Sequence, residues 1–472
     1  MSNNNSEPAQ ATGAGFSMAI QVNEVDAPIA RMQADWAVID ALLGGTPAMR
    51  AAKKKYLPQQ PRESNEDYDY RLSTSTLFPA LERTLAVMSG KPFSKQITVA
   101  ETVPSQVQEL LSSIDDKGAS LHAFAFRAFR EMVSHGFGGI LVDHTKTDGQ
   151  AKTVADAKRM GARPYWVHYK HGQILGARFQ QGAAGLQMTL LRLLETIEQE
   201  DGEYGSTMVE QVRVLRPGAW EIHRKGKDGW EVHESGTTTL DRIPFVFLLA
   251  NPIGPMESRP PLKDLAYLNV KHWQQQSDQD TSIRYATKPL VYATGINSGD
   301  NITLSSDSIL KLPPNATLDV AQGRAEAVTV GRNELEALEQ QMIQTGAELL
   351  VATPGQRSAT EASNDAEANK ASLQSLVEDF EDAVDQCLQF TADWLKAGEA
   401  GSVALFKDFG AATLSDASAQ LVIAMAQAGL ITKETALKEQ QRRGVLSPDL
   451  DVETEVALAS ESAPSLGKTG VE

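Results

Sequence analysis

The chain of 472 residues has one cysteine, Cys387, which excludes an internal disulfide and fits a reducing compartment. Long apolar runs are missing too. The longest, FVFLLA at 245–250, falls far short of the ~20 residues that span a bilayer. The N-terminal MSNNNSEPAQATGAG carries neither a basic end nor an apolar stretch, so no secretory signal is read there. Basic charge is in deficit, with 44 Lys and Arg against 61 Asp and Glu and a formal net charge of −17. Tight nucleic-acid binders usually present a basic surface, because lysines and arginines displace condensed counterions. A chain this acidic would touch DNA through a few local cations or mostly repel it. These absences point to a soluble protein made in a cytoplasm, with no membrane partner.

Catalytic constellations are equally scarce. HGFGG at 135–139 could be a glycine loop for phosphate or an oxyanion hole, but no G-x-S-x-G elbow accompanies it and GFGGIL is an incomplete dinucleotide fingerprint. The plain expectation is a glycine helix stop feeding a buried strand. SLGKTG near the C-terminus has Ser462 where a phosphate loop needs its first glycine, and no strand precedes it. His168 and His171 form an H-x-x-H pair in strand-like sequence; with the other histidines scattered and no cysteine partners, no metal site is expected. Asp278 with Asp280, and Asp115 with Asp116, have the default expectation of solvated helix faces or borders. Neither catalytic residues nor a cofactor follow from the sequence, and the expectation is that the chain is not an enzyme.

What is present is an ordered series of segments, enough for two to four folding units. Residues 1–20 are expected to be disordered. A mixed α+β region follows, helical first (Leu77, Leu81, Leu85 and Met88 recur at helical spacing) and strand-rich from about 163 to 250. There WEIHRKGKDGWEVHE reads as a hairpin. NPIGPMESRPP at 251–261 is a proline-rich break. Beyond it a helix is expected to about Ala286, apolar at first (Leu262, Leu265, Leu268) and then almost wholly polar apart from Trp273 and Ile283. Such a helix is not stable alone, and packing against other copies of the chain would resolve that. A small β-rich insert (289–330) and a second helix, from Arg332 to about Leu350, come next. The polar loop TPGQRSATEAS then leads into a helix of nearly forty residues, with Ser358 and Glu361 at capping-box spacing. That helix starts small and polar, then carries the stripe Leu373, Leu376, Val377, Phe380, Val384, Cys387, Leu388 and Trp394, which marks a face packed on a core and makes Cys387 a buried thiol rather than a reactive one. Short capped helices follow Phe409, one starting at Thr432 and stopping at Gly444.

Three stretches in this order, YLPQQPRESNEDYDYRLSTSTLFPALERTLAVMSGKPF, HGFGGILVDH and LEALEQQMIQTGAELL with SATEASNDAEANKASLQSLVEDFEDAV, resemble tailed-bacteriophage portal proteins, in particular a group once filed as a domain of unknown function. The resemblance runs over most of the chain, and the order of the motifs carries it more than any one of them. It implies an α+β portal-type fold: a mixed α/β wing (21–258), stem helices (259–288 and 331–350), a β-rich clip (289–330), a tunnel loop (351–360), a long kinked wing helix (361–412) and a helical crown with a flexible tail (413–472). It further implies a dodecameric ring at one capsid vertex of a virion, assembled in a host bacterial cytoplasm. Double-stranded DNA would pass through that ring in genome packaging and ejection. Its partners would be terminase, head–tail adaptors, and major capsid and scaffolding proteins. Thr353, Pro354, Gly355, Gln356 and Arg357 would form the tunnel loop, Arg357 being its cation, and Lys271, His272 and Arg284 are the stem residues expected to face DNA. A mostly acidic bore would let DNA, with one negative charge per ~1.7 Å of axis, slide rather than stick. The alternatives are a cytoplasmic enzyme or nucleic-acid-processing protein whose active site the sequence does not reveal, and another head–tail connector component, whose chains are usually much shorter.

Overall fold

The N-terminal half begins with helices α1 (Ala27–Leu43), α2 (Gly45–Ala51), α3 (Asn65–Thr74), α4 (Ala80–Gly90) and the single turn α5 (Ser105–Gln108), with a two-residue strand β1 (Thr98–Val99) between the last two. These elements belong to a computed structural model that describes residues 21–146, 156, 159–182, 185–227, 229–287, 290–295, 315–321, 325–347, 359–407, 426, 431–442, 446, 451–452 and 454–456. Helix α6 (Leu121–His135) shows how its sequence sets both ends. The Ser120 hydroxyl accepts from the Ala123 amide at 3.4 Å, and Gly136 stops the helix in the left-handed region at φ 71°, its N–H on the Met132 carbonyl. A Cβ on Gly136 would also meet the Pro260 backbone at 2.8 Å, so a close approach reinforces the need for glycine.

The chain forms two compact units, one of Met1–Arg31 with Gly172–Pro244, the other of Met32–His171 with Phe245–Glu472. The single wing domain expected over 21–258 is therefore shared between them. In the second and larger unit, strand β2 (Phe137–His144) lies at the centre of an antiparallel sheet with β3 (Pro164–Lys170) and β9 (Phe245–Leu249), in the order β3-β2-β9. HGFGG is thus a helix stop feeding a buried strand. Gly139 pairs with Phe247 and Tyr169, and the Phe245 ring occupies the space where a Cβ of Gly139 would stand.

The smaller unit is an antiparallel five-stranded meander, β4 (Ile174–Gly182), β5 (Gly185–Asp201), β6 (Gly205–Arg216), β7 (Ala219–Lys225) and β8 (Trp230–Thr237). The last two are the expected hairpin around Lys-Gly-Lys-Asp-Gly, with Lys225 opposite Trp230. Leu175, Val212 and Val214 form its small core, with Val22, Val25, Leu190, Leu194 and Trp230 around them. Arg192 secures the incoming chain. Its Nη1 donates to the carbonyls of Gln21, Val22 and Glu24 at 2.8–3.1 Å, and its Nη2 to Asp26 Oδ1 at 2.7 Å. One guanidinium so satisfies backbone acceptors that no strand pairing reaches.

After the short hairpin β10 (Pro252–Gly254) and β11 (Glu257–Ser258) come α7 (Lys263–Thr287), β12 (Leu290–Thr294), β13 (Thr317–Ala321), α8 (Ala325–Met342) and α9 (Ala359–Leu395). Strands β12 and β13 pair antiparallel from Leu290–Ala321 to Thr294–Thr317. Helix α9 brings Leu373, Leu376, Val377, Phe380, Val384, Cys387 and Leu388 into the core, none more than 4% exposed. Phe380 packs edge-on against Phe129 of α6. Polar bonds fix its register: Trp166 donates to Thr391 Oγ1 at 2.9 Å and Trp394 to the Val142 carbonyl at 3.0 Å. Cys387 is fully buried, and burial pushes its thiol well above the usual range, so it is a core residue with no reactive character. Strand β14 (Val403–Ala404) pairs β1, and α10 (Lys433–Arg442) is capped by Thr432, whose hydroxyl accepts from the Thr435 amide. Mixed helices and several separate sheets make the fold α+β.

Candidate functional site

The segment from α7 to α9 holds all the stem residues singled out in the sequence. Helix α7 buries Leu265, Ala266 and Trp273 and then runs out of apolar side chains. Several of its polar side chains find partners within the same unit, although Gln275 Oε1, His272 Nδ1 and Trp273 Nε1 are buried without one among the described residues. Asn269, with no exposed surface, accepts from the Leu81 amide at 3.1 Å and donates to the Phe78 carbonyl at 3.0 Å. It thereby caps α4, whose own N-cap residue, Pro79, has no side chain for the task. Gln274 donates to the Tyr56 carbonyl at 3.0 Å, and Ser277 meets Ser75 at 2.9 Å.

A buried arginine completes this face. Arg71 makes a two-pronged bond to Glu63 (Nε–Oε1 2.6 Å, Nη2–Oε2 2.8 Å), donates to the Pro58 carbonyl, and lies 3.6 Å from Asp278 of α7. Both side chains of the pair are under 10% exposed. The hydrogen bond from Arg71 holds the Glu63 carboxyl below its ordinary range, although burial pulls the other way. The polar half of α7 was expected to need neighbouring copies of the chain. Residues 56–81 of its own unit fill much of that role, and Gln60 and Arg71 engage Asp278, which sequence alone leaves as a solvated face.

Helix α8 runs antiparallel to α7, since His272 faces Glu339 (3.3 Å) while Gln279 donates to the Val328 carbonyl (2.7 Å). Gly331 permits the approach, because a Cβ there would collide with the Gln279 amide. Leu335, Leu338 and Met342 form the buried face of α8, and Ile343 is buried just beyond its end. A wide turn at Ile343–Ala347 follows, with Gly346 at φ 125°. The expected tunnel loop, Thr353, Pro354, Gly355, Gln356 and Arg357 with the cap Ser358, lies outside the described residues.

The three expected stem cations have different surroundings. Lys271 is exposed. Arg284 is half-buried, donating to the Asp280 carbonyl and to Thr74 Oγ1 with its guanidinium over the Tyr70 ring. His272 is only 2% exposed, packed on Phe78 and facing Glu339, and burial lowers its basicity. In this chain His272 is a core residue, so the expectation that it presents charge to DNA does not hold; its place on the inner face of α7 is the reason.

A second grouping was not anticipated. His171 was set aside because the other histidines are scattered in sequence, yet the fold brings it to His135, Asp40 and Glu131. The two imidazoles stack, 3.8 Å between centroids and 11° from parallel. His171 Nδ1 lies 2.7 Å from Glu131 Oε1 and its Nε2 3.4 Å from Asp40 Oδ2; His135 Nε2 lies 3.1 Å from Asp40 Oδ1. Trp36 covers His171 at 4.9 Å and donates to the His135 carbonyl. Burial alone would lower the His171 pKa, but the two carboxylates overrule it and lift it to about 9. Glu131 falls to about 2 and Asp40 is depressed as well, in each case by the histidines against the effect of burial. His168, the other member of the H-x-x-H pair, takes no part; burial depresses it to about 4. The one local hint in the sequence is that His135 sits at a helix end just before the stop glycine.

Residues 261–395, from the start of α7 to the end of α9, match the family model described as Domain of unknown function (DUF4055). No match is found among curated proteins. Similar solved structures include a chain from the neck of an empty GTA particle with C6 symmetry, at 12% identity and TM-score 0.46, covering 78% of this chain and 90% of that one. A chain from the virion of a native gene transfer agent particle has 10% identity and TM-score 0.41, covering 84% and 98%. Among the described residues no helix is long and apolar enough to cross a membrane.

Proposed function

We propose that this chain is the subunit of a portal ring, the channel through which double-stranded DNA enters and leaves a phage-type capsid. One observation carries the reading: α7, the β12–β13 pair, the antiparallel α8 and the 37-residue α9 follow one another in chain order, and the last of the stretches that resemble portal proteins falls on α8 and α9. In this reading α7 and α8 are the stem, and β12 with β13 is the base of the clip, which would meet terminase and later the tail adaptors. The segment before α9 would supply the tunnel finger, and an acidic balance of −17 over the chain suits a bore that does not grip DNA. Lys271 and Arg357 are the local cations assigned to it. No catalytic residue or cofactor is assigned.

Negative-stain imaging of the purified full chain tests the assembly. The expected particle is a ring of about twelve subunits with a central hole, in line with the closed cyclic symmetry of such assemblies. A monomer or small oligomer at micromolar concentration refutes it. Packaging with Arg357→Glu tests the loop: DNA uptake or retention is expected to fall, and unchanged values for both remove Arg357 from the mechanism.

A further inference from the structure

The Asp40, Glu131, His135 and His171 grouping lies apart from every element used in the channel reading, and its chemistry is more specific than a buried ion pair requires. Four titratable side chains from three distant segments converge: the last turn of α1, the last turns of α6, and the residue that follows β3. One oxygen each from Asp40 and one nitrogen each from His135 and His171 lie within 4.8 Å of one another. Both imidazoles turn the same nitrogen, Nε2, towards the Asp40 carboxylate, one towards each oxygen. Both turn Nδ1 the other way, where Glu131 Oε1 stands 2.7 Å from His171 and 3.6 Å from His135, and the Ser134 hydroxyl 2.8 Å from His135.

That arrangement is what metal-binding histidines need. A carboxylate on the far nitrogen fixes the tautomer and the ring orientation and makes the near nitrogen a better donor. We infer that Asp40, His135 and His171 form a divalent-metal site for a borderline ion of the zinc type, with Glu131 as the carboxylate that orients the histidines. Two imidazoles and one carboxylate suit zinc and leave a fourth position for water. Asp40 is 56% exposed at its side chain, so an ion reaches the site directly from solvent.

The stacked rings set the movement that binding requires. Zinc holds nitrogen and oxygen ligands at about 2.0–2.2 Å, so the donor atoms must draw together by on the order of 1 Å. His171 is held between Trp36 and His135. His135 is held by the same stack and by the Ser134 hydroxyl, so the exposed Asp40 is the ligand with room to move. The ion would tie α1 to the end of α6 and to the chain leaving β3, a structural pin rather than a reaction centre.

The test uses the full chain after dialysis against EDTA. Zinc is titrated in competition with a chromophoric chelator, and cobalt(II) spectra report the ligand set. One zinc per chain is expected, with a cobalt spectrum typical of a low-coordinate nitrogen–oxygen site and a raised Tm. Asp40→Asn, an exposed change that leaves the packing intact, should abolish stoichiometric binding while keeping the wild-type circular dichroism. Glu131→Gln should weaken binding about 10–100-fold, the usual effect of losing an orienting carboxylate. Absence of stoichiometric zinc in the wild-type chain overturns the proposal, as does undiminished binding in a folded Asp40→Asn or His135→Ala variant.

Discussion

Replacing Gly139 by alanine tests whether the HGFGG stretch is a packing motif. A Cβ on Gly139 would stand 2.5 Å from Cε1 of Phe245, 3.0 Å from Cε2 and closer still to Cζ, whereas ordinary contact begins at 3.4 Å. The ring must therefore retreat by more than about 1 Å in an interior packed as densely as an organic crystal. It has little room: Phe245 is 4% exposed, with Phe247 edge-on at 5.0 Å and Tyr169 at 6.2 Å. Overpacking of this kind costs about 1–3 kcal/mol, and outright expulsion of the phenylalanine would approach the ~3–5 kcal/mol of a Phe→Ala change. An expected loss of about 3 kcal/mol follows. Urea unfolding read by tryptophan emission measures it, since Trp36, Trp166, Trp273 and Trp394 all belong to the unit that contains Gly139. Phe245→Leu supplies the partner for a double-mutant cycle. In that background Gly139→Ala should cost under about 1 kcal/mol, a coupling of ~2 kcal/mol. Gly90→Ala is the control, because nothing lies within 4 Å of a Cβ there; it should be neutral or mildly stabilising. A loss below about 0.5 kcal/mol for Gly139→Ala, or strictly additive changes, would refute the reasoning.

Two further outcomes follow from the α7 face. Glu63→Gln leaves Arg71 buried without its carboxylate and should cost about 3 kcal/mol in urea unfolding. The Glu63 carboxyl is depressed below 4.5 in the folded chain, so its contribution is complete above that pH and fades as the pH falls through the depressed folded value. The wild-type advantage over Glu63→Gln should accordingly shrink in acid, and a gap that widens there would contradict the pairing. Asn269→Ala removes the cap of α4 from another helix and should cost about 1–3 kcal/mol. Hydrogen exchange should show the first turn of α4 opening first, and unchanged protection at the Leu81 amide would count against it.

Much of the fold is legible because its signals are local. Gly136 after a stripe of Phe124, Phe129 and Met132 gives the end of α6, the Lys-Gly-Lys-Asp-Gly turn gives the β7–β8 hairpin, and Leu373 to Leu388 gives the buried face of α9. The partners of α7 are not legible in this way. Asn269, Ser277 and Asp278 bond to residues 60–81, about two hundred positions earlier, and no periodicity records a bond of that span. His272 looks like a stem cation because its neighbours are polar, yet helical geometry turns it inward beside Trp273. The histidine–carboxylate grouping is hidden for the same reason, since Asp40, His135 and His171 are adjacent only after three segments have met. The two-unit division is hidden because residues 21–31 are secured by Arg192, far along the chain.

The burial of α9 against β2 and α6 has a consequence for how the protein is made. Strands β2, β3 and β9 leave the ribosome by residue 249, yet the helix that covers their apolar face is complete only at Leu395. At about 5–20 residues per second, the roughly 145 residues between them take on the order of 7–30 s to synthesise. Through that interval Trp166 and Phe129 are without the side chains that shield them in the finished protein, while the smaller unit, whose last residue is Pro244, is already complete. The nascent chain thus carries one finished unit and one open apolar face, and that face is where a chaperone would engage it and where premature association between copies would begin.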